Sequence, residues 1–165
     1  MSTMSRSTVA MPKLPARMVP LASLLWAAGM SDTRQAKPRV LVIDDEGAAC
    51  ELASLYLEHK GLEVATVRTA DEARPLVERG QFDVVVVDWE LDGGAGLDLL
   101  QLSKTRHPDI PVILVTAANT GEAAFKSGLA GTADAVVRKM GPLDALSKEV
   151  FRCVSRRHGQ PPDAA

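Results

Sequence analysis

Aromatic residues are scarce: two tryptophans, one tyrosine and three phenylalanines make up only 4% of the 165-residue chain. A core must therefore be packed mainly from Val, Leu, Ile and Ala, which supply most of the 46% apolar fraction. Cysteine is as rare. Cys50 and Cys153 are too few for a disulfide framework and neither has a CxxC partner, so both read as reduced core thiols of a cytoplasmic protein. The three histidines, His59, His107 and His158, stand far apart and match no metal-ligand spacing; surface positions near helix ends account for them. A formal charge of −2 argues against a general binder of nucleic acid or anionic membranes. No apolar run promises stable membrane insertion, since Met18–Met30 has 13 residues against the roughly 20 that a bilayer needs. No internal repeat or heptad run is present.

Residues 1–36 differ from the rest. Pro12, Pro15 and Pro20 interrupt them, and Ser, Thr and Met are common. A disordered or poorly ordered extension is expected, or an over-long start with Met30 as the true first residue. Leu21, Leu24, Leu25 and Ala28 fall at helical spacing, which keeps a docking helix open. Arg6, Lys13 and Arg17 before an apolar run imitate a signal peptide, but no clear cleavage site follows.

From Lys37 the pattern is regular, and a single domain over 37–158 is expected, with a flexible tail over 159–165. Short apolar runs at Val40–Ile43, Leu62–Arg68, Phe82–Val87, Ile110–Val115 and Ala135–Val137 read as strands. Between and after them, helices are expected over 47–60, with Ala49, Leu52, Ala53 and Tyr56 on the packed face, and from a Thr69/Glu72 capping box to Arg79. Three more are expected over Leu97–His107, from Asn119 or Thr120 through Leu129, and from Pro142 to about Arg157. Pro75 sits badly in the second helix, which should be short or bent. Strands alternating with helices imply an α/β fold: a five-stranded parallel sheet, doubly wound, with right-handed crossovers.

In such a sheet all C-terminal strand ends share one edge, where open α/β sheets place their ligands. That edge collects Asp44, Asp45 and Glu46 from the first strand and Asp88, Glu90 and Asp92 from the third. Thr116 comes from the fourth and Lys139 from the fifth. Clustered carboxylates repel and need a cation to stay ionised, and hard oxygen ligands with room for water suit Mg²⁺. A hydroxyl and an ammonium opposite them can hold phosphoryl oxygens. The set suits a metal plus a phosphate on a carboxylate.

Asp44-Asp45 after VLVI, Asp88 after VVVV, Thr116-Ala117 after VILV and Lys139 after AVVR together resemble the receiver domain of bacterial two-component response regulators, across roughly Pro38–Arg157. The resemblance implies a flavodoxin-like sheet of order 2-1-3-4-5. It implies Asp88 as phosphoacceptor, with Asp45, Asp88 and the Glu90 main-chain carbonyl on Mg²⁺ and Asp44 acting through water. Thr116 would bond one phosphoryl oxygen and Lys139 would neutralise another. Cys50 and Cys153 would fall on neighbouring helices as packing residues.

Three positions depart from the family pattern. Asp92 replaces the usual proline four residues after the phosphoacceptor, Met140 replaces the proline after the lysine, and Val136 replaces the strand-five aromatic that moves on activation. Without that proline the Lys139–Met140 bond is expected to be trans, because a non-proline cis bond costs roughly 3–4 kcal/mol. The resulting expectation is a stand-alone receiver, not an enzyme. It would be phosphorylated by a sensor histidine kinase or phosphotransfer protein and bind an unknown protein target. A pseudo-receiver acting as a constitutive interaction module is one alternative. A small-molecule phosphatase with Asp88 as nucleophile is another, disfavoured because Asp88-Trp89-Glu90 is only a loose DxD.

Overall fold

A computed structural model of the chain describes residues 37–117 and 132–159. The expected extension (1–36), the helix expected between Asn119 and Leu129, and residues 160–165 of the tail lie outside the described residues. The strands are β1 (Arg39–Ile43), β2 (Glu63–Val67), β3 (Val84–Asp88), β4 (Val112–Thr116) and β5 (Ala135–Arg138). They form one parallel sheet in the order β2-β1-β3-β4-β5. The described α-helices are α1 (Gly47–His59), α2 (Ala70–Arg79), α3 (Ala95–Arg106) and α4 (Leu143–Arg157), with a 3₁₀ turn at Leu91–Gly93 before α3.

The sequence dictates this arrangement through the central strands. β1 and β3 are runs of branched residues buried on both faces, as a strand inside a parallel sheet requires. Their alternation divides the core. Leu41, Ile43, Val85 and Val87 face α2 and α3 through Ala73, Val77, Leu99 and Leu100. Val40, Val42, Val84 and Val86 face α1 and α4 through Cys50, Leu57, Val150 and Cys153. Both cysteines are free and buried, on the two helices of one layer.

Three local expectations need correction. Leu52 is not on the packed face of α1; it is 55% exposed, and the seam runs through Cys50, Ala53 and Leu57. α1 is apolar almost all round, so periodicity alone admits more than one face. Pro75 lies inside α2, which at ten residues is the shortest of the described α-helices. The proline lies on the exposed side, where water can take the carbonyl it leaves unbonded. Pro142 is the residue before α4 rather than its first, with ψ at 135°. Asp88 is the last residue of β3 rather than the residue after it.

Caps behave as expected for α2. Thr69 accepts a bond from the Glu72 amide, and Gly80 closes the helix in the left-handed region at φ 62°. All three histidines stand at helix C-terminal ends, His59 in the last turn of α1 and His107 and His158 just past α3 and α4. Every described peptide bond is trans, Lys139–Met140 included. No described helix is long and apolar enough to cross a membrane.

Burial pushes the Cys50 and Cys153 thiols above the usual cysteine range. A disulfide-exchange reagent at pH 8 should therefore label the native protein slowly at both positions and rapidly in denaturant. Fast labelling of either thiol in the native state would contradict this packing.

Candidate functional site

The register that aligns Ile43 with Val87 brings Asp44 and Asp88 to neighbouring ends of β1 and β3. Their exposures are only 6% and 2%. Each carboxylate closes the same small turn: Asp44 Oδ1 accepts from the Glu46 amide at 2.9 Å, and Asp88 Oδ1 from the Glu90 amide at 3.0 Å. The two then share one cation. Lys139 Nζ lies 2.9 Å from Asp44 Oδ1 and 2.8 Å from Asp88 Oδ2. Glu46 stands farther off, at 3.4 Å, and is largely in solvent.

Lys139 reaches them because the turn after β5 is tied to β4, its amide donating to the Thr116 carbonyl at 2.8 Å. Burial works against its charge, yet the bonds to Asp88 and Asp44 outweigh that and hold the ammonium well above the usual lysine range. At Asp44 burial wins. It raises the carboxyl above the usual aspartate range, helped by nearby Asp88 and opposed by the bonds from Lys139 and Glu46.

Asp45 completes the cluster from an exposed position. One carboxylate oxygen from each of Asp44, Asp45 and Asp88 lies within 4.8 Å of the others. Three carboxylates against the Lys139 ammonium leave an excess of two negative charges. A hard divalent cation held by oxygen ligands suits that excess and that spacing. Asp44, Asp45 and Asp88 each offer one oxygen that could hold it.

The structure thus brings together Asp44, Asp45, Asp88 and Lys139. Thr116 is buried at the end of β4, next to the backbone that anchors Lys139. Glu90 contributes its amide to the Asp88 turn. Its side chain is exposed, as is that of Asp92.

Sequence reasoning missed Gly96, in the first turn of α3. A Cβ there would lie 2.1 Å from the Asp88 carbonyl oxygen and 3.1 Å from that of Trp89. Only glycine lets α3 approach the backbone at the end of β3 so closely. The sequence offered little signal: with the helix expected to begin at Leu97, Gly96 fell among the glycines of the preceding loop, and the helix in fact starts two residues earlier at Ala95.

Comparison with known proteins followed the same line. A family model described as "Response regulator receiver domain" matches residues 40–151. Response regulator protein PilR of Pseudomonas aeruginosa is 34% identical over 108 residues, 66% of this chain and 24% of that protein. The phosphate regulon transcriptional regulatory protein PhoB of Klebsiella pneumoniae is 29% identical over 121 residues, 72% of this chain and 52% of its own. The chain spans about a quarter to about half the length of the curated relatives it matches. Among solved structures, a CheY-like receiver domain protein from Methanospirillum hungatei superposes with a TM-score of 0.68 at 25% identity, covering 75% of this chain and 98% of that one. TrrA from Thermotoga maritima, solved in complex with Mg(2+)-BeF, gives 0.64 at 29% identity over 70% of this chain and 98% of that one.

Replacing Lys139 with methionine leaves Asp44 and Asp88 buried without a cation. Breaking one side of a buried ion pair costs roughly 3–5 kcal/mol. Lys139→Met should lose stability on that order in EDTA and recover part of it in Mg²⁺, as urea unfolding would show. Wild-type stability in EDTA would mean that Lys139 does not hold the two acids.

Proposed function

The chain belongs to the response regulator receiver domain family, and from that premise we propose that Asp88 is its phosphoacceptor. The observation that carries the proposal is the Lys139 ammonium bonded to both Asp44 and Asp88 at the C-terminal edge of the sheet. An Asp88 carboxylate oxygen bonds to phosphorus while the P–N bond of a phosphohistidine, or the P–O bond of a small acyl phosphate, breaks and its electron pair leaves with the donor. Lys139 neutralises one phosphoryl oxygen and the Thr116 hydroxyl bonds another. Asp45, Asp88 and the Glu90 main-chain carbonyl would hold Mg²⁺, with Asp44 beside them. Bound there, the ion offsets the charge that gathers between the acids and the phosphoryl group. The Mg(2+)-BeF complex of the similar TrrA supports this choice of ion.

The partners that follow are a sensor histidine kinase or histidine phosphotransfer protein as donor and a protein target as receiver of the signal. The chain acts on its own Asp88 instead of turning over a separate substrate, and it works in the cytoplasm.

Incubation with Mg²⁺ and acetyl phosphate should raise the intact mass by one phosphoryl group in the wild type and not in Asp88→Asn. A wild type left unmodified both here and by its own kinase would favour the pseudo-receiver instead.

Coupling between phosphate and target should be modest. Val136 is partly buried against the α2–α3 side of the core and carries a short, branched side chain with few rotamers. A switch moves its equilibrium only by the difference in stabilisation of its two states. Target affinity should therefore change by the low end of the usual 1–3 kcal/mol range, roughly five- to tenfold. Measuring affinity with and without a beryllofluoride mimic checks this; a gain well above about a hundredfold would overturn it.

A further inference from the structure

The two loops that carry the metal-ligating groups are both tied to one short stretch, Arg68–Ala70, between β2 and α2. On one side, the Arg68 guanidinium donates from Nε and Nη2 to the Asp45 main-chain carbonyl, at 3.3 and 3.0 Å. It lies against Gly47, where a Cβ would come within 3.4 Å of Arg68 Cζ. The Arg68 amide is itself held by Glu72 Oε2 at 3.1 Å. On the other side, the Ala70 amide at the first turn of α2 donates to Asp92 Oδ2 at 3.0 Å. A carboxylate there also meets the positive end of the helix.

Asp92 adopts φ 44° and ψ 43°, the single described non-glycine residue at positive φ. Gly93 and Gly94 follow at φ 72° and 125°. Side chains seldom occupy that region, so a partner must hold Asp92 in it. Leu91, fully buried, pins the same turn from below. Glu90, whose carbonyl is a proposed metal ligand, lies directly before this pinned segment.

We infer that Arg68 and Asp92 are positioning residues for the divalent-cation site, acting from the β2–α2 junction on the Asp45 loop and the Glu90 loop respectively. Arg68 fixes the main chain of Asp45 and so the direction of its carboxylate. Asp92 fixes the turn that presents the Glu90 carbonyl. Both side chains are exposed, so neither is needed to fill the core. The inference rests on the receiver reading of Asp45 and Glu90 as Mg²⁺ ligands.

The test is a Mg²⁺ titration of the full chain in a Trp26→Phe background, followed by Trp89 fluorescence and by calorimetry. Outer partners of metal ligands typically alter affinity about 10–100-fold, and exposed ones fall at the low end. Arg68→Met and Asp92→Ala should each raise the Mg²⁺ Kd about tenfold. Asp92→Asn should recover most of the loss, because its amide oxygen can accept the same bond and asparagine tolerates the left-handed region. Glu63→Ala, which removes an exposed ion pair with Arg39, should leave Kd unchanged. Urea midpoints in EDTA should stay close to wild type. Without metal, the Glu46 amide signal should shift in Arg68→Met and the Ala70 signal in Asp92→Ala. A wild type without any Mg²⁺ response would overturn both this inference and the receiver reading of the site. A responsive wild type with unchanged Kd in both variants, or Kd changes that only track lost stability, would overturn this inference alone.

Discussion

Two aspartates placed side by side under the surface repel each other and lose most of their hydration, and a single ammonium between them offsets both costs. Lys139 fills that place. The rest of the site follows from bringing it there. The parallel sheet aligns the ends of β1 and β3, so the acids meet, and β5 hangs from β4, so the lysine returns to the same edge. The Asx-type turn from Asp88 to Glu90 fixes the other oxygen of that acid, while the turn from Asp44 to Glu46 shares with Lys139 the same oxygen, Oδ1. What remains negative faces outward beside exposed Asp45, where a hydrated cation can enter.

The strands were legible because burial on both faces leaves little room for anything but branched apolar residues, as in Val84–Val87. Their carboxylate ends were legible because a polar residue after such a run has one place to go. Thr69 and Gly80 announced the limits of α2 through capping chemistry that acts within a few residues. Leu52 was misplaced because α1 offers apolar residues around most of its circumference, and the small side chains of Cys50 and Ala53 decide which side seats against the sheet. The links from Arg68 to Asp45 and from Asp92 to Ala70 were not legible at all. They join residues on separate elements, and no periodicity marks a long-range bond between a side chain and a backbone group.

Two of the three departures from the family pattern now have a local account. A proline at position 92 would offer no carboxylate to the start of α2, and its φ near −65° is far from the 44° found here. This loop is held from outside by an acid instead of from within by a ring. After Lys139, the Gly141 amide returns to the Arg138 carbonyl at 3.0 Å, which closes the turn with trans peptide bonds throughout. The backbone that delivers the lysine thus has a brace that does not depend on proline.

The partners of Lys139 lie 95 and 51 residues earlier in the chain. During synthesis both aspartates therefore leave the ribosome well before their lysine. At roughly 5–20 residues per second, the gap after Asp88 alone lasts about 3–10 seconds. Through that interval the ends of β1 and β3 carry carboxylates whose lysine partner is still missing, which discourages early burial of that edge. Closure of the acidic edge is deferred until β5 arrives, so a partly made chain has no means of presenting the finished edge.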